Sequence, residues 1–237
     1  MSDPNGWETS AAAWIASLGE AGDFSRRYVL DRPVLERVRA ARPSRALDVG
    51  CGEGRFCRML KAEGVAAVGV DPSTALIAEA RRRDPAGDYR IGFGEALDFE
   101  DGAFDLVVSY LSLLDIDDAE TAIREMTRVA APGGHVLIVN QTGFATAAVG
   151  GGWSTEADGR RRFEIDDYLE TRPLAQNWRG ITVRNWHRPL EFYMRAFLEA
   201  GLALAHFAEP APYGGPPDKA DRYRRAPLFV VMEWRKP

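Results

Sequence analysis

The chain has 237 residues, a formal net charge of −5 at pH 7, 46% hydrophobic residues and 27% charged residues. This composition is typical of a globular protein and argues against disordered, collagen-like and membrane-spanning chains. Because positive and negative charges are mixed along the chain, we expect neither nucleic acid nor a membrane as a partner. The polar, acidic N-terminus lacks the pattern of a secretory signal, so we expect a cytoplasmic protein.

The first 140 residues combine an N-terminal helical part with a regular alternation of strands and helices. Residues 1–43 hold helical candidates that carry several aromatic side chains and are expected to act as a lid. Predicted strands then cover 45–50, 66–71, 89–93, 104–109 and 135–140, and predicted helices cover 54–63, 74–83 and 119–130. This alternation predicts an α/β fold with a doubly wound, mostly parallel sheet that binds ligands at the carboxyl ends of its strands.

The rhythm breaks between residues 141 and 187, which we interpret as an inserted lid on the substrate side of one domain spanning 1–237. Within it, 142–152 is glycine-rich and 160–168 and 178–186 are strand candidates. The alternation then resumes. A helix is predicted over 189–200, strands over 202–207 and 227–234, and a loop over 210–225, so the last two strands are expected to pair antiparallel.

The cysteine and histidine content is low. The two cysteines, Cys51 and Cys57, and three histidines supply too few ligands for a disulfide framework or a zinc site. We therefore expect no metal.

The strongest motif is the sequence Leu47-Asp48-Val49-Gly50-Cys51-Gly52-Glu53-Gly54, between the first predicted strand and its helix. Its glycines allow a sharp turn and a close approach to a ligand, and the helix N-terminus favours an anionic group. The spacing G-x-G-x-G differs from the dinucleotide fingerprint, which has its third glycine where Arg55 stands. Asp71 ends the second strand, where a carboxylate can accept both hydroxyls of a ribose. Together these features indicate a cofactor that contains a nucleoside.

At these residues the sequence resembles the class I S-adenosylmethionine-dependent methyltransferases, in particular those that act on small molecules. Further matching segments are 69–73, 99–109 and 132–139. The resemblance is close over 45–140 and looser over 187–236. It implies a seven-stranded sheet with the last strand antiparallel, S-adenosyl-L-methionine as cofactor, and methyl transfer to an oxygen, nitrogen or carbon atom of a small acceptor. The cofactor-binding residues that it implies are Asp48, Gly50, Cys51, Gly52, Gly54, Asp71, Pro72, Phe93, Gly94, Glu95 and Ala96.

One position departs from the pattern of the family. An acidic residue often follows the glycine of the third-strand turn and accepts from the adenine amino group, whereas this chain has Phe93. Either Glu95 or a backbone carbonyl replaces that contact, or adenine is held by apolar packing and by the backbone amides of Gly94 and Glu95. We favour the second interpretation.

Methyl transfer requires mainly alignment and exclusion of water, so a general base is optional. His187 is the best candidate for such a base, although it could instead cap the next helix or bind a backbone carbonyl. Tyr110 follows the fourth strand and is expected either to line the active site or to pack in the core. Tyr28 is expected either to close over the cofactor from the N-terminal helices or to belong to a surface helix packed by its aromatic residues.

Two other functions remain open from the residues alone. A nicotinamide-dependent oxidoreductase would use the same kind of fold, but its glycine spacing differs. A non-catalytic partner protein could keep the cofactor pocket without turnover. The intact glycine loop and Asp71 favour the enzyme.

Overall fold

The computed structural model describes residue 3 and residues 5–237. The helices are α1 (Trp7–Leu18), α2 (Asp31–Ala41), α3 (Arg55–Ala62), α4 (Thr74–Arg83), α5 (Ala119–Val129), α6 (Gly143–Thr146), α7 (Leu190–Glu199) and α8 (Pro217–Arg225), with a π-helical segment at Arg26–Leu30 before α2. The strands are β1 (Arg45–Val49), β2 (Ala66–Asp71), β3 (Asp88–Ile91), β4 (Phe104–Tyr110), β5 (Ala130–Gln141), β6 (Ala148–Thr155), β7 (Arg161–Ile165), β8 (Arg172–Trp178), β9 (Ile181–His187), β10 (Ala203–Ala208) and β11 (Phe229–Arg235). Among these described helices, none combines the length and apolar composition needed to cross a membrane.

Seven strands form one sheet in the order β10-β11-β5-β4-β1-β2-β3. Neighbouring strands from β5 to β3 are parallel, whereas β11 runs antiparallel to both β5 and β10. The central strands are almost continuously apolar because helices cover both faces of the sheet. This topology confirms the predicted fold class, including the antiparallel last strand.

Two apolar layers hold the sheet between its helices. On one face, α5 and α7 pack against it, and the rings of Phe197 and Trp234 stack with their centroids 4.9 Å apart. On the other face, Val34 of α2 and Leu60 of α3 are fully buried. Since these layers fix the strands from both sides, the carboxyl ends of the parallel strands form a rigid edge on which a site can be built.

The insertion contains two hairpins, β6–β7 and β8–β9, and the second of them differs from the expectation from the sequence. The single strand expected over 178–186 is instead the end of β8, a turn and β9. Arg179 and Gly180 form that turn with φ values of 49° and 79°. Positive φ at both central residues matches the twist of a hairpin, but Arg-Gly lacks the usual sequence signal for it. The glycine-rich segment 142–152 contains α6 and most of β6.

A helix, α8, replaces most of the loop that was expected over 210–225. Pro217 occupies its first turn, where a missing N–H costs nothing, and no further proline or glycine follows within the helix. The helix is stabilised by packing. The ring of Tyr223 lies 4.9 Å from Phe24 and 6.1 Å from Phe229, between centroids. The proline and glycine content before the helix concealed this amphipathic segment.

Helix α1 bridges the insertion and the sheet. The hydroxyl of Ser10 donates to the carbonyl of Thr182 at 2.9 Å and accepts from its N–H at 3.0 Å, which fixes α1 on β9. On its other side, the Glu8 carboxylate accepts from the Ser73 hydroxyl at 2.6 Å and from the Ala75 N–H at 3.1 Å, at the start of α4. These contacts place α1 across the carboxyl edge of the sheet.

Candidate functional site

A cavity of about 640 Å³ lies at the carboxyl edge of the sheet. Its lining includes the last residues of four parallel strands, namely Val49, Asp71, Ile91 and Tyr110. The volume is within the range of small-molecule sites. Since side chains of α1 also line it, the cavity extends from the strand ends to the N-terminal helix.

The glycine loop forms one wall of the cavity. The N–H groups of Gly50 and Cys51 donate to the carbonyl of Val70 at 2.8 and 3.0 Å, which ties the loop to β2. Gly50 has a φ of 78°, and a Cβ there would lie 2.3 Å from the Cβ of Ser112. Gly52 also has a positive φ, but no atom would lie within 4 Å of its Cβ. The loop is therefore closed against the protein at Gly50 and open towards the cavity at Gly52.

Asp71 joins the glycine loop to the start of α4. One carboxylate oxygen accepts from the Gly52 N–H and the other from the Ser73 N–H, both at 2.9 Å. Burial is the main cause that raises the pKa of Asp71 to about 6, although both hydrogen bonds oppose the shift. Each oxygen keeps a free lone pair at the cavity wall, so the carboxylate has the acceptor capacity for two neighbouring hydroxyl groups.

Asp48 is a buried carboxylate with incomplete hydrogen bonding. Its Oδ2 accepts from the thiol of Cys57 at 3.5 Å, whereas its Oδ1 is buried without a partner in the described structure. Burial, with a contribution from nearby Asp71 and Glu53, raises the pKa of Asp48 to about 7. An orphaned acceptor beside a cavity is the natural partner of a ligand that donates hydrogen bonds.

These raised pKa values predict a pH-dependent stability of the ligand-free protein. A carboxyl group whose pKa is higher in the folded chain stabilises it fully below its unfolded pKa, and this contribution is lost as the pH rises through the folded pKa. Ionisation of Asp48 should therefore lower the melting temperature of the wild-type protein as the pH rises from about 5 to about 8. In Asp48→Asn this fall should be smaller, because the amide cannot ionise. Thermal melts of both proteins would measure this, and parallel curves would contradict the assignment. Comparing the two proteins cancels the opposite contribution of His187, whose pKa is lowered by burial.

The turn after β3 presents an apolar surface to the cavity. Phe93 and Ile91 line it with 54% and 51% of their surface exposed, although both are large and apolar. Gly94 is buried, and the Glu95 carboxyl is directed at the backbone of Asp118. These positions agree with a flat ligand group that packs on apolar side chains rather than one bound by the Glu95 carboxylate.

The structure brings most of the predicted cofactor residues to this cavity. Those in its lining are Asp48, Gly50, Cys51, Gly52, Asp71, Pro72, Phe93, Gly94 and Glu95. Three are not in the lining: Gly54, Ala96 and Tyr28. Gly54 packs against Tyr89, and a Cβ at position 54 would lie 2.6 Å from the ring of Tyr89. The N–H of Ala96 donates to the carbonyl of Phe93 within the turn.

Tyr110 both lines the cavity and packs in the core. Its ring lies 4.9 Å from that of Phe56, and its hydroxyl donates to Asp31 at 3.0 Å. Burial and the Asp31 carboxylate raise the pKa of Tyr110 well above its ordinary value. The phenol therefore stays protonated, so it can shape the cavity but cannot serve as a base near neutral pH.

The expectation for Tyr28 has to be corrected, because the side chain lies outside the cavity. Its ring packs on Phe24 with centroids 5.3 Å apart and faces Gly215 of the loop before α8. Arg26, two residues earlier, lines the cavity instead. Its guanidinium lies 5.0 Å from the ring of Trp14, measured to the centroid. The π-helical turn directs these neighbouring side chains to different sides.

The proposed role of His187 also has to be corrected. The residue is fully buried and does not line the cavity. Its Nδ1 lies 2.6 Å from the hydroxyl of Thr146, and its Nε2 lies 2.8 Å from the carbonyl of Tyr168. Both ring nitrogens are thus engaged, and burial lowers the pKa of His187. The imidazole ties α6 to the segment before β8 and has no access to an acceptor.

His187→Ala is therefore expected to act on stability. The change leaves two buried hydrogen-bonding groups without partners and opens a cavity, which should lower the free energy of unfolding by about 2 to 4 kcal/mol. Urea unfolding measures this loss. The affinity for S-adenosylhomocysteine should be unchanged. A variant with wild-type stability but reduced turnover would instead support the role of His187 as a base.

Four lining residues were not identified from the sequence, namely Trp7, Trp14, Glu53 and Asp115. Trp14 donates its indole N–H to Glu53 at 3.3 Å, and Asp115 follows the end of β4. A usable signal existed for each. Glu53 is a charged residue between two glycines of the loop, Asp115 lies just beyond a strand end, and Trp7 and Trp14 are seven residues apart on one helix face.

The cavity fits S-adenosylmethionine on two independent observations. The unpartnered Oδ1 of Asp48 can accept from an ammonium group, and the open space at Gly52 leaves room beside the loop backbone. Asp71 adds the acceptors for a ribose. Within residue 3 and residues 5–237, no group of three potential metal ligands is found.

Comparisons with known proteins agree with this site. A family model described as "Methyltransferase domain" matches residues 47–138. The malonyl-[acyl-carrier protein] O-methyltransferase of Serratia marcescens is 30% identical over 180 residues, which cover 74% of this chain and 68% of that protein. The norajmaline N-methyltransferase of Rauvolfia serpentina is 33% identical over 138 residues, which cover 55% of this chain and 44% of that protein.

The fold agrees with a solved structure over the whole length of that structure and most of this chain. An S-adenosylmethionine-dependent methyltransferase from Mesorhizobium loti superimposes with a TM-score of 0.77 at 26% identity, covering 92% of this chain and 100% of that one. This similarity to S-adenosylmethionine-dependent methyltransferases removes the nicotinamide alternative. The chain belongs to the class I S-adenosylmethionine-dependent methyltransferases.

Proposed function

We propose that the enzyme transfers the methyl group of S-adenosylmethionine to a nucleophilic atom of a small molecule. The observation that carries this proposal is the shape of the cavity, which continues from the glycine loop past Asp71 to Trp7 and Trp14 of α1 and to Asp115. The first part has the groups for the cofactor. The second part leaves an aromatic compartment for an acceptor, closed by α1 and β9.

Residues of this chain would hold the cofactor at three points. Asp71 would accept from the ribose hydroxyls, and the apolar surface of Ile91 and Phe93 would pack on adenine. Asp48 would accept from the ammonium group of the methionine part. When bound, the cofactor supplies an electrophilic methyl group on a sulfonium. The chain contributes alignment and exclusion of water.

The relatives support a small acceptor but differ in the atom that they methylate. One is named an O-methyltransferase and another an N-methyltransferase. Because insertions vary freely on a common fold, these names do not fix the acceptor of this chain. The aromatic wall favours an acceptor with a flat or apolar body.

The test is methyl transfer from S-adenosylmethionine with a labelled methyl group. The enzyme would be incubated with the ultrafiltered small-molecule fraction of a cell extract and, separately, with its RNA and protein fractions. We expect label only in the small-molecule fraction, with S-adenosylhomocysteine released in equal amount. Label in RNA or protein would contradict the proposal. Cofactor binding without transfer to any fraction would indicate a non-catalytic binding protein.

A further inference from the structure

The cavity is strongly acidic. Its carboxyl groups belong to Asp3, Glu8, Asp48, Glu53, Asp71, Glu95, Asp115 and Asp117, and its guanidinium groups belong to Arg26 and Arg55. Both guanidinium groups are already paired with carboxylates outside the lining. Arg26 lies 2.9 Å from Asp23, and Arg55 contacts both oxygens of Asp31 at 2.5 and 3.0 Å. An anionic acceptor would therefore meet repulsion, whereas a cationic acceptor would be attracted.

Several of these carboxylates are occupied in structural roles at helix starts. Asp3 accepts from the Thr9 N–H at 2.8 Å, at the first turn of α1. Glu8 accepts from Ser73 and Ala75 at the first turn of α4. Asp48 and Asp71 stand at the cofactor end of the cavity. These carboxylates already form hydrogen bonds within the fold or are assigned to cofactor binding, so few remain to bind an acceptor.

Asp115 remains available in the acceptor compartment. It accepts from the amide of Asn185, a buried residue of β9, and Trp7 is a second neighbour whose indole opposes the rise in the pKa of Asp115 caused by burial. Both partners are neutral, so they orient the carboxylate without cancelling its charge. Neighbouring Asp117 differs, because it forms a 2.5 Å ion pair with Arg184. An ionised carboxylate has about four acceptor positions, so Asp115 keeps capacity for a ligand.

The surroundings of Asp115 suit a cation with an apolar body. The rings of Trp7 and Trp14 meet edge to face with centroids 5.2 Å apart, and both line the cavity. Aromatic faces attract ammonium groups and pack on apolar ones. The positive charge of Arg26 acts on Asp115, but that guanidinium group is already paired with Asp23.

We propose that the acceptor is an amine and that Asp115, oriented by Asn185 and Trp7, binds its nitrogen. This inference rests on the proposed function and specifies its substrate class. Asp115 contacts neutral groups of both α1 and β9. Binding of the amine would therefore depend on how these two elements pack beside the cavity.

The same carboxylate can also prepare the nitrogen for attack. Burial raises the pKa of Asp115 to about 7, so it can take a proton from a bound ammonium group and release it later to water. Deprotonation returns the lone pair to nitrogen. That pair forms the bond to the methyl carbon as the carbon–sulfur bond breaks with its electrons on sulfur, so charge and atoms balance.

The test compares three probes that differ in one group: phenethylamine, 2-phenylethanol and 3-phenylpropionate. Each is titrated into the protein saturated with S-adenosylhomocysteine, with binding followed by ligand-observed NMR. We expect the amine to bind about tenfold or more tightly than the alcohol, and the carboxylate least of all. An amine that binds no better than the alcohol, including one that does not bind, overturns the proposal.

Asp115→Asn is the decisive variant. It keeps an oxygen that can accept from Asn185 but removes the charge, so the preference for the amine should disappear while S-adenosylhomocysteine affinity stays unchanged and the melting temperature does not fall. Asp158→Asn, at an exposed residue paired with Arg160, is the matched control and should retain the preference. A preference that survives in Asp115→Asn overturns the proposal. Failure of wild-type protein to bind S-adenosylhomocysteine would instead overturn the proposed function.

Discussion

Replacing Asp71 by alanine is expected to weaken the binding of S-adenosylhomocysteine by about 2 to 4 kcal/mol, roughly 30- to 1,000-fold in affinity. The carboxylate would lose two charge-assisted hydrogen bonds to the ribose hydroxyls. It would also release the N–H groups of Gly52 and Ser73, which it now holds at 2.9 Å. Isothermal titration calorimetry measures the loss directly.

A second carboxylate, at the opposite end of the neighbouring strand, provides the control for Asp71. Asp88 lies on neighbouring β3, where its half-exposed side chain pairs with Arg90 on the surface. Asp88→Ala removes the same group without touching the cavity, so affinity should not change. Unchanged affinity in Asp71→Ala would remove the residue from the cofactor site, and equal losses in both variants would indicate a general effect of charge.

Replacing Gly52 by leucine is expected to abolish measurable binding of S-adenosylhomocysteine. The residue lines the cavity, and no atom lies within 4 Å of the position its Cβ would take, so the added side chain would enter the space beside the loop. Because φ is 54°, the substitution should also cost about 1 to 2 kcal/mol of folding stability. Calorimetry and urea unfolding separate the two effects.

Gly64 is a matched control for this substitution. It also has a positive φ, 82°, and open space around its Cβ position, but it lies in the turn after α3 and outside the cavity lining. Gly64→Leu should therefore show a similar loss of stability with normal binding. Normal binding in Gly52→Leu would mean that the loop does not form the wall of the cofactor site.

The regular part of the fold could be predicted because strand and helix periodicities coincide with motif positions. β1, β2 and β4 are mainly apolar segments, and they are recognisable although β1 contains Asp48 and β4 contains Asp105. The insertion could not be predicted in the same detail. Its β8–β9 turn uses Arg179 rather than asparagine. Outside the insertion, α8 was missed because it is stabilised by Tyr223 packing on residues distant in sequence.

The cofactor end of the site was predictable for the same reason, since Asp48, the glycine loop and Asp71 lie on consecutive segments of the chain. The acceptor end was not, because it is assembled from three distant segments. Trp7, Asp115 and Asn185 meet only after α1 packs on β9. His187 illustrates the opposite error. Its position at the end of the insertion suggested a catalytic base, but Thr146 and Tyr168 hold it inside the protein.

Calorimetric titration of the wild-type protein with S-adenosylmethionine, S-adenosylhomocysteine and NADH tests the central claim most directly. We predict binding of both adenosyl sulfur compounds with dissociation constants on the order of micromolar and no binding of NADH. Both sulfur compounds should compete for one site per chain. Binding of NADH, or of none of the three, would contradict the assignment of the cavity to S-adenosylmethionine.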